Sequence, residues 1–382
     1  MSCAESEEIK KPAHPNVFIL VVDSLRADRL GREPAATPAL DRLANEGARF
    51  ETSTLATTDP VASVVTLLTS LPPEQHGVHG SDLALSSEAL TIPEVLAERG
   101  FATAAFVRED LFSGQRGLGQ GFESVERIDA ASADDSAYVK PVARWLADWK
   151  RDDSARPFFA YVHTALPAAA DSADAYDRAV ARADARAGEL IALVDDLQSL
   201  NDTVVVVTST RSHAFRNADA PSSVELAVPL VFRMASRLAP GAVHADIART
   251  MDLGPTLMML AKVRRPDAFG FTHSAYGLAM RDLVEILVGV PRDLPVMVTG
   301  EGHHGDMMLQ WLQLGDYRLV RHTDSGAAER FTFYDIANDP NETEDLIESE
   351  AQRGSMFVHK LRAWRSIVEA RPDYATPIGA SP

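Results

Sequence analysis

Six consecutive apolar residues, Val17-Phe18-Ile19-Leu20-Val21-Val22, run unbroken into the polar pair Asp23-Ser24. Strands with one face in water alternate apolar and polar residues. An uninterrupted, β-branched run reads instead as a central parallel strand covered on both faces. Parallel neighbours need crossover helices, so the run commits the chain to an α/β layering. It is also the longest apolar stretch in the chain, and it is far too short to span a bilayer. In parallel sheets ligands bind beyond the carboxyl ends of the strands, which puts Asp23 where chemistry is placed.

The rest of the pattern agrees with that layering. Thr37-Pro38 predicts a helix from Ala39 to Glu46, opened by proline and stopped by Gly47. Further helices are predicted over Val61–Leu71, over Ile92–Arg99 before Gly100, and over Asp252–Ala261. Tyr176 to Leu200 is a long amphipathic helix, with Val180, Ala183, Ala187, Leu190, Ile191 and Val194 at helical spacing. Strands are predicted at Thr103–Val107, Pro157–His163, Thr203–Thr208 and Pro229–Phe232. Beyond Pro291 the texture changes. Short strands at Pro295–Thr299, Met307–Leu314, Tyr317–His322 and Arg330–Tyr334 are separated by turns at Gly315-Asp316 and Ser325-Gly326, and a helix follows over Glu348–Glu369. The expected fold class is α/β: a central, mostly parallel sheet between helix layers, plus a small C-terminal antiparallel sheet with one helix. The expected division is a tail over 1–14, a main domain over 15–290, a small subdomain over 291–372 and a tail over 373–382.

A net charge of -18 argues against nucleic acid and against anionic lipid as partners, since both demand basic surface. The single cysteine, Cys3, excludes an intramolecular disulfide. Two readings of the start stay open: a loose tail with a spare thiol, or the lipidated cysteine of an envelope lipoprotein whose leader lies upstream.

In order and spacing, several stretches resemble the sulfatase family of the alkaline phosphatase superfamily. Pro15 to Asp28 is similar to its first strand and metal loop, and Thr37 to Phe50 to the helix and strand that follow. Leu67-Leu68-Thr69-Ser70-Leu71-Pro72-Pro73-Glu74-Gln75-His76-Gly77-Val78 resembles the stretch after the nucleophile. Gln120-Gly121-Phe122-Glu123, then Tyr176-Asp177 with Asp184 and Gly188, then Asp252-Leu253-Gly254-Pro255-Thr256-Leu257 continue the likeness. Gly315 to Val320 and Phe333 to Leu346 resemble its C-terminal subdomain.

The resemblance implies a sulfuric ester hydrolase that uses calcium or another divalent cation. It makes Asp23 the first metal ligand and Ser24 a vestigial second one. The chain departs from the family pattern at almost every other chemical position. Thr210 and Arg211 stand where the family has an aspartate and a histidine ligand. In the nucleophile region an ungapped alignment puts Pro60 at the nucleophile and Val64 at the arginine that follows it, whereas a two-residue slip puts Thr58 there, followed by Asp59-Pro60. After the second strand, Val162-His163-Thr164-Ala165-Leu166-Pro167-Ala168 keeps a histidine and a proline, but Leu166 and Ala168 replace groups that could move a proton.

Three functions follow as alternatives. The first is a catalytically impaired family member that holds no cofactor and acts by binding a small anionic ligand or an active sulfatase-like partner; in it, Arg211 replaces the cation and pairs with Asp23. The second is a metal-dependent sulfate or phosphate ester hydrolase built on Asp23, Thr58 and Asp59, with His213 as a further ligand and His163 as a catalytic group. The third is a surface protein tethered through Cys3. His76 and His79 with Asp82, and His303-His304 with Asp306, are candidate transition-metal clusters; hydrogen-bonded surface histidines are the bland alternative.

Overall fold

The run Val17–Val22 lies inside strand β1 (Asn16–Asp23), every residue of which is buried. In the computed structural model the described residues are 14–378, apart from 33–36, 81, 109–110, 113–115, 130–136, 153, 167–171, 198–202, 214–219, 272–281, 291–295, 305, 325–327 and 371–373. The Cys3 tail, the acidic loop after Asp129, Pro167, Ala168, the side chain of His304 and the Ser325-Gly326 turn fall outside them.

The other strands are β2 (Ala48–Thr54), β3 (Leu83–Leu85), β4 (Ala102–Arg108), β5 (Ser124–Ile128), β6 (Phe158–Ala165), β7 (Thr203–Thr208), β8 (Leu230–Arg233), β9 (Ala242–Arg249), β10 (Met297–His304), β11 (Met307–Leu314), β12 (Tyr317–Thr323), β13 (Arg330–Asp335) and β14 (Ala375–Pro377). The helices are α1 (Pro38–Glu46), α2 (Pro60–Thr69), α3 (Pro73–His76), α4 (Ile92–Glu98), α5 (Val139–Asp152), α6 (Ala173–Asp195), α7 (Ser223–Leu226), α8 (Leu253–Leu260), α9 (Val284–Leu287) and α10 (Ala351–Glu369).

Eight strands form one sheet in the order β5-β4-β6-β1-β7-β8-β2-β9, with β1 paired in parallel to β6 and to β7. Only β8 runs antiparallel, to both β7 and β2. The period of two along β1 sorts its side chains onto two cores. Val17, Ile19 and Val21 join Val204 and Val206 against α2, α4 and α8. Phe18, Leu20 and Val22 join Val205 and Val207 against α1, α5 and α6. The expected mostly parallel sheet between helix layers is therefore what forms. The sequence reading leaves β5, β9 and α5 unassigned. β5 and β9 are the two edge strands, in which polar residues interrupt the apolar ones, so no apolar run marks them. The stripe Val142, Leu146 and Trp149 on α5 was legible at helical spacing.

Asp184 on α6 accepts hydrogen bonds from the Ala39 and Leu40 amides, each at 2.9 Å, and so satisfies orphan donors in the first turn of α1. It does this from another helix, while Thr37 makes no capping bond of its own. Chain direction reverses tightly at Gly47, where α1 hands over to β2.

β10 to β13 make a four-stranded antiparallel sheet in sequence order, covered by α10. Phe357, Leu361 and Trp364 of α10 join Leu312, Leu319 and Phe333 in the same core as α2 and α8. The first of these strands runs to His304, beyond the expected Thr299, which places His303 in a strand rather than a loop.

A polar cluster ties this sheet to the main one. Trp364 donates its indole N–H to Glu74 Oε1 at 3.2 Å, and His79 Nε2 lies 2.9 Å from Glu301 Oε1 on β10. Burial, with the nearby charge of Glu301, pushes the Glu74 carboxyl up to about 8. Burial alone would lower His79, but its hydrogen bond to Glu301 and the charges of Glu301, Asp59 and Glu74 outweigh that and raise it. The two shifts act in one direction. Between about 4.5 and about 8 the folded chain keeps a proton on Glu74 that the unfolded chain has released, so stability falls as pH rises. Stability from charged His79 is complete below its unfolded pKa and is lost as pH passes its raised folded value. The urea midpoint should therefore drop steadily from pH 5 to about pH 9. Glu74→Gln should flatten that slope and raise the midpoint at the alkaline end. A slope unchanged in the variant would remove Glu74 from the explanation.

Candidate functional site

The carboxyl ends of four adjacent strands, β4, β6, β1 and β7, converge on Asp23. Its side chain is 1% exposed. Ser24, immediately after it, holds a left-handed backbone conformation (φ 69), which a non-glycine residue adopts at some cost. Neighbours hold that turn in place: Tyr176 donates its hydroxyl to the Ser24 carbonyl at 2.8 Å, and Ser24 bridges to Ser212.

Two guanidinium groups face the Asp23 carboxylate. Arg211 Nη2 lies 3.4 Å and Arg108 Nη1 3.5 Å from Oδ2. Arg211 Nε also donates to Ser24 Oγ at 3.1 Å. The other carboxylate oxygen, Oδ1, accepts the Thr210 hydroxyl at 3.1 Å. Thr210 and Arg211 thus both contact Asp23; the sequence reading paired only Arg211 with it. Arg108 is a residue that the sequence reading misses, although a signal existed: it is the first charge after the apolar stretch of β4, at a carboxyl strand end.

His163 is fully buried behind Thr210. Its Nδ1 lies 3.0 Å from the Tyr161 hydroxyl and its Nε2 3.5 Å from Thr210 Oγ1. Burial, with the charge of Asp23, raises the Tyr161 phenol well above its ordinary value, so it keeps its proton. Thr210 gives its only proton to Asp23 and must accept from His163. The chain of donors therefore runs Tyr161 to His163 to Thr210 to Asp23. In that tautomer the histidine presents no lone pair to the cleft.

A cleft of about 360 Å³ opens over this group, lined by Asp23, Asp59, Pro60, Arg108, Arg116 and Arg211 with apolar walls from Val61 and Leu111. Asp59 caps α2: its two oxygens accept from the Ala62 amide at 2.8 Å and the Gly80 amide at 3.1 Å. Pro60 is the first residue of that helix, where a missing N–H costs nothing. Val64 faces the core and is fully buried. Thr58 does not line the cleft; it packs on β10, where a Cβ at Gly302 would come within 2.5 Å of its hydroxyl. His213 stacks on Tyr176 at 4.7 Å between ring centroids. Leu166 packs on the α1/α6 core.

The donor set does not fit a divalent cation. A hard ion wants six or more oxygens. Here Asp23 is accompanied by a hydroxyl that donates to it and by two guanidiniums. A divalent ion about 4 Å from one guanidinium would be repelled by on the order of 8 kcal/mol at an effective dielectric of ~20. Among the described residues no three His, Cys, Asp or Glu side chains converge to hold a metal. At the candidate cluster by α3, His76 is fixed as a neutral ring: Nδ1 accepts the Val78 amide at 3.1 Å, so Nε2 carries the proton shared with Thr66. Burial keeps it well below the ordinary histidine value.

A doubly covered α/β sheet with a polar site at its carboxyl edge places the chain among the α/β proteins that bind ligands beyond their strand ends. Residues 15–263 match the family model described as Sulfatase, and the chain belongs to that family. It is 24% identical over 333 residues to human (Homo sapiens) arylsulfatase A, covering 66% of this chain and 65% of that protein. It is 33% identical over 93 residues to an arylsulfatase of Clostridium perfringens (strain 13 / Type A), or 23% and 19% of the two lengths. The chain thus spans less than two thirds of either relative. Among solved structures, a protein in complex with its substrate D-glucosamine-2-N,6-O-disulfate superposes with a TM-score of 0.72 at 14% identity, covering 96% of this chain and 100% of the other. A 2-O GAG sulfatase gives 0.71 at 15% identity, with 94% and 93% covered. At such identities these two establish the fold alone. No helix among the described residues is long and apolar enough to cross a membrane.

Proposed function

We propose that this sulfatase-family chain is a catalytically impaired member that binds the anionic group of a sulfate or phosphate ester without a divalent cation. The observation that carries the reading is the pair of guanidiniums, Arg108 and Arg211, on the buried Asp23 carboxylate. A guanidinium offers a planar fork of donors matched to oxyanions. The Arg211 contact of 3.4 Å is looser than the roughly 2.7–2.9 Å of a strong charge-assisted bond. Its side chain is 45% exposed, so it can swing toward a ligand in the cleft. Charge neutralisation, the part of the family's chemistry that a cation supplies, then falls to arginine. Among the described residues of the cleft, Asp59 is engaged by two amides, and Thr58 lies off it. A hydrolase built on Thr58 would need that residue to leave Gly302 and Asp23 to shed both arginines. A protein that holds an ester without cleaving it serves as a carrier or as a partner of an active enzyme.

The test uses the full chain. Titration with 4-nitrophenyl sulfate and 4-nitrophenyl phosphate, followed by calorimetry in EDTA and again with added calcium, should give the same saturable binding in both buffers. Release of 4-nitrophenol should stay at the water blank. Calcium-dependent turnover of either ester, or no binding of either, defeats the proposal.

A further inference from the structure

A second concavity, of about 480 Å³, lies at the C-terminal end of α8. Four cations, Arg237, Lys262, Arg264 and Arg265, and one carboxylate, Asp282, surround the exposed apolar side chain of Met259. In a chain of net charge -18 such a gathering calls for a cause. Complementing the carbonyls of a helix end is one. It accounts for Arg237, which donates to the Met259 carbonyl at 3.4 Å, and a loop carbonyl accounts for Arg265, which donates to Phe269 at 3.2 Å. The side chains of Lys262 and Arg264 make no hydrogen bond or ion pair among the described residues, and both residues are exposed.

Lys262 also stands in an unexpected place. The Val263 amide bonds back to the Met258 carbonyl at 2.8 Å and the Lys262 amide to Met259 at 3.2 Å, the paired pattern of a Schellman helix end. The residue after the cap then takes a left-handed conformation, here φ 59, where glycine is the usual choice. A lysine held there keeps an ammonium at the rim against its own backbone preference. Next to it Met259, 48% exposed, offers a polarizable apolar surface to the cavity.

We propose that this cavity binds a small organic anion with an apolar body, such as an alkyl or aryl sulfate or carboxylate. The head group is held by Lys262 and Arg264, and the body lies over Met259. The volume lies within the roughly 300–1,000 Å³ of small-molecule sites. The protein's overall charge favours a small ligand over a polyanion. Beyond a Debye length of about 8 Å at physiological salt, a large acidic partner meets the repulsion of the whole chain, whereas a small anion meets mainly the local cations.

The experiment is a calorimetric titration with octyl sulfate below its micellar range. It is run on the full chain carrying Arg108→Gln and Arg211→Gln, so that binding at the Asp23 cleft is weakened. Inorganic sulfate and octyl glucoside are the comparison arms. One saturable octyl sulfate site is expected, with each comparison ligand at least tenfold weaker. Lys262→Gly together with Arg264→Ser should weaken octyl sulfate at least tenfold. Glycine suits the turn, so the variant should keep the parent's melting temperature. Equal affinity in that variant would overturn the site and leave the cations as helix-end complements. Equal affinity for octyl glucoside would overturn its anion selectivity, and equal affinity for inorganic sulfate would overturn the apolar component.

Discussion

Replacing Arg108 and Arg211 together by glutamine should weaken binding of 4-nitrophenyl sulfate to the full chain by about 10–100-fold, since hydrogen bonds to charged groups contribute about 1.5–3 kcal/mol and each 1.4 kcal/mol is tenfold. Asp23→Asn should act in the opposite sense. Asp23 competes with the ligand for both guanidiniums, and it adds a like charge to the same cleft. Two unit charges about 5 Å apart interact by roughly 3 kcal/mol at an effective dielectric of 20, so removing one should tighten anion binding several-fold or more. The asparagine keeps the shape of the side chain and can still accept the Thr210 hydroxyl. A metal-dependent site predicts the reverse for Asp23→Asn, because loss of a ligand would abolish binding. Calorimetry on the two variants reads both signs. Tighter binding in the arginine variant, or weaker binding in Asp23→Asn, would show that the guanidiniums do not replace the cation.

A large stability loss is expected at Gly47. A Cβ there would stand 2.1 Å from the Phe232 carbonyl oxygen and 3.0 Å from the Arg233 Cα. Both neighbours are backbone of β8, which is bonded to β7 on one side and β2 on the other, so they cannot retreat without breaking a ladder. Gly47→Ala should cost more than about 3 kcal/mol, in the range of severe core overpacking, or prevent folding. Gly31→Ala is the control. Gly31 has φ 69 but nothing within 4 Å of the added carbon, so only the backbone penalty of about 1–2 kcal/mol applies. Urea midpoints of the two variants against the parent decide the matter. Similar losses would mean that the clash at Phe232 is relieved by local movement.

Much of the fold was open to reading because burial writes itself into strand composition. β1 and β7 are central strands covered on both faces, and only continuous apolar residues satisfy that environment. Edge strands such as β9 face water with every other residue and leave no such mark. Within the site, Asp23 was visible at the end of an apolar run, whereas Thr210 and Arg211 were visible only through the resemblance to the family's motif after β7. Arg116 carried no local signal, since it lies in no strand or helix.

The sequence by itself determined the layered α/β sheet, because hydrophobic period is a local property, and it set which residue types stand at Asp23, Thr210 and Arg211. Only the tertiary structure decided what faces the Asp23 carboxylate. Arg108 and Arg211 are 103 positions apart in the sequence. They meet on Asp23 because β4, β6, β1 and β7 lie side by side with their carboxyl ends together. A charge pair depends on distance through space, and no pattern along the chain encodes that distance.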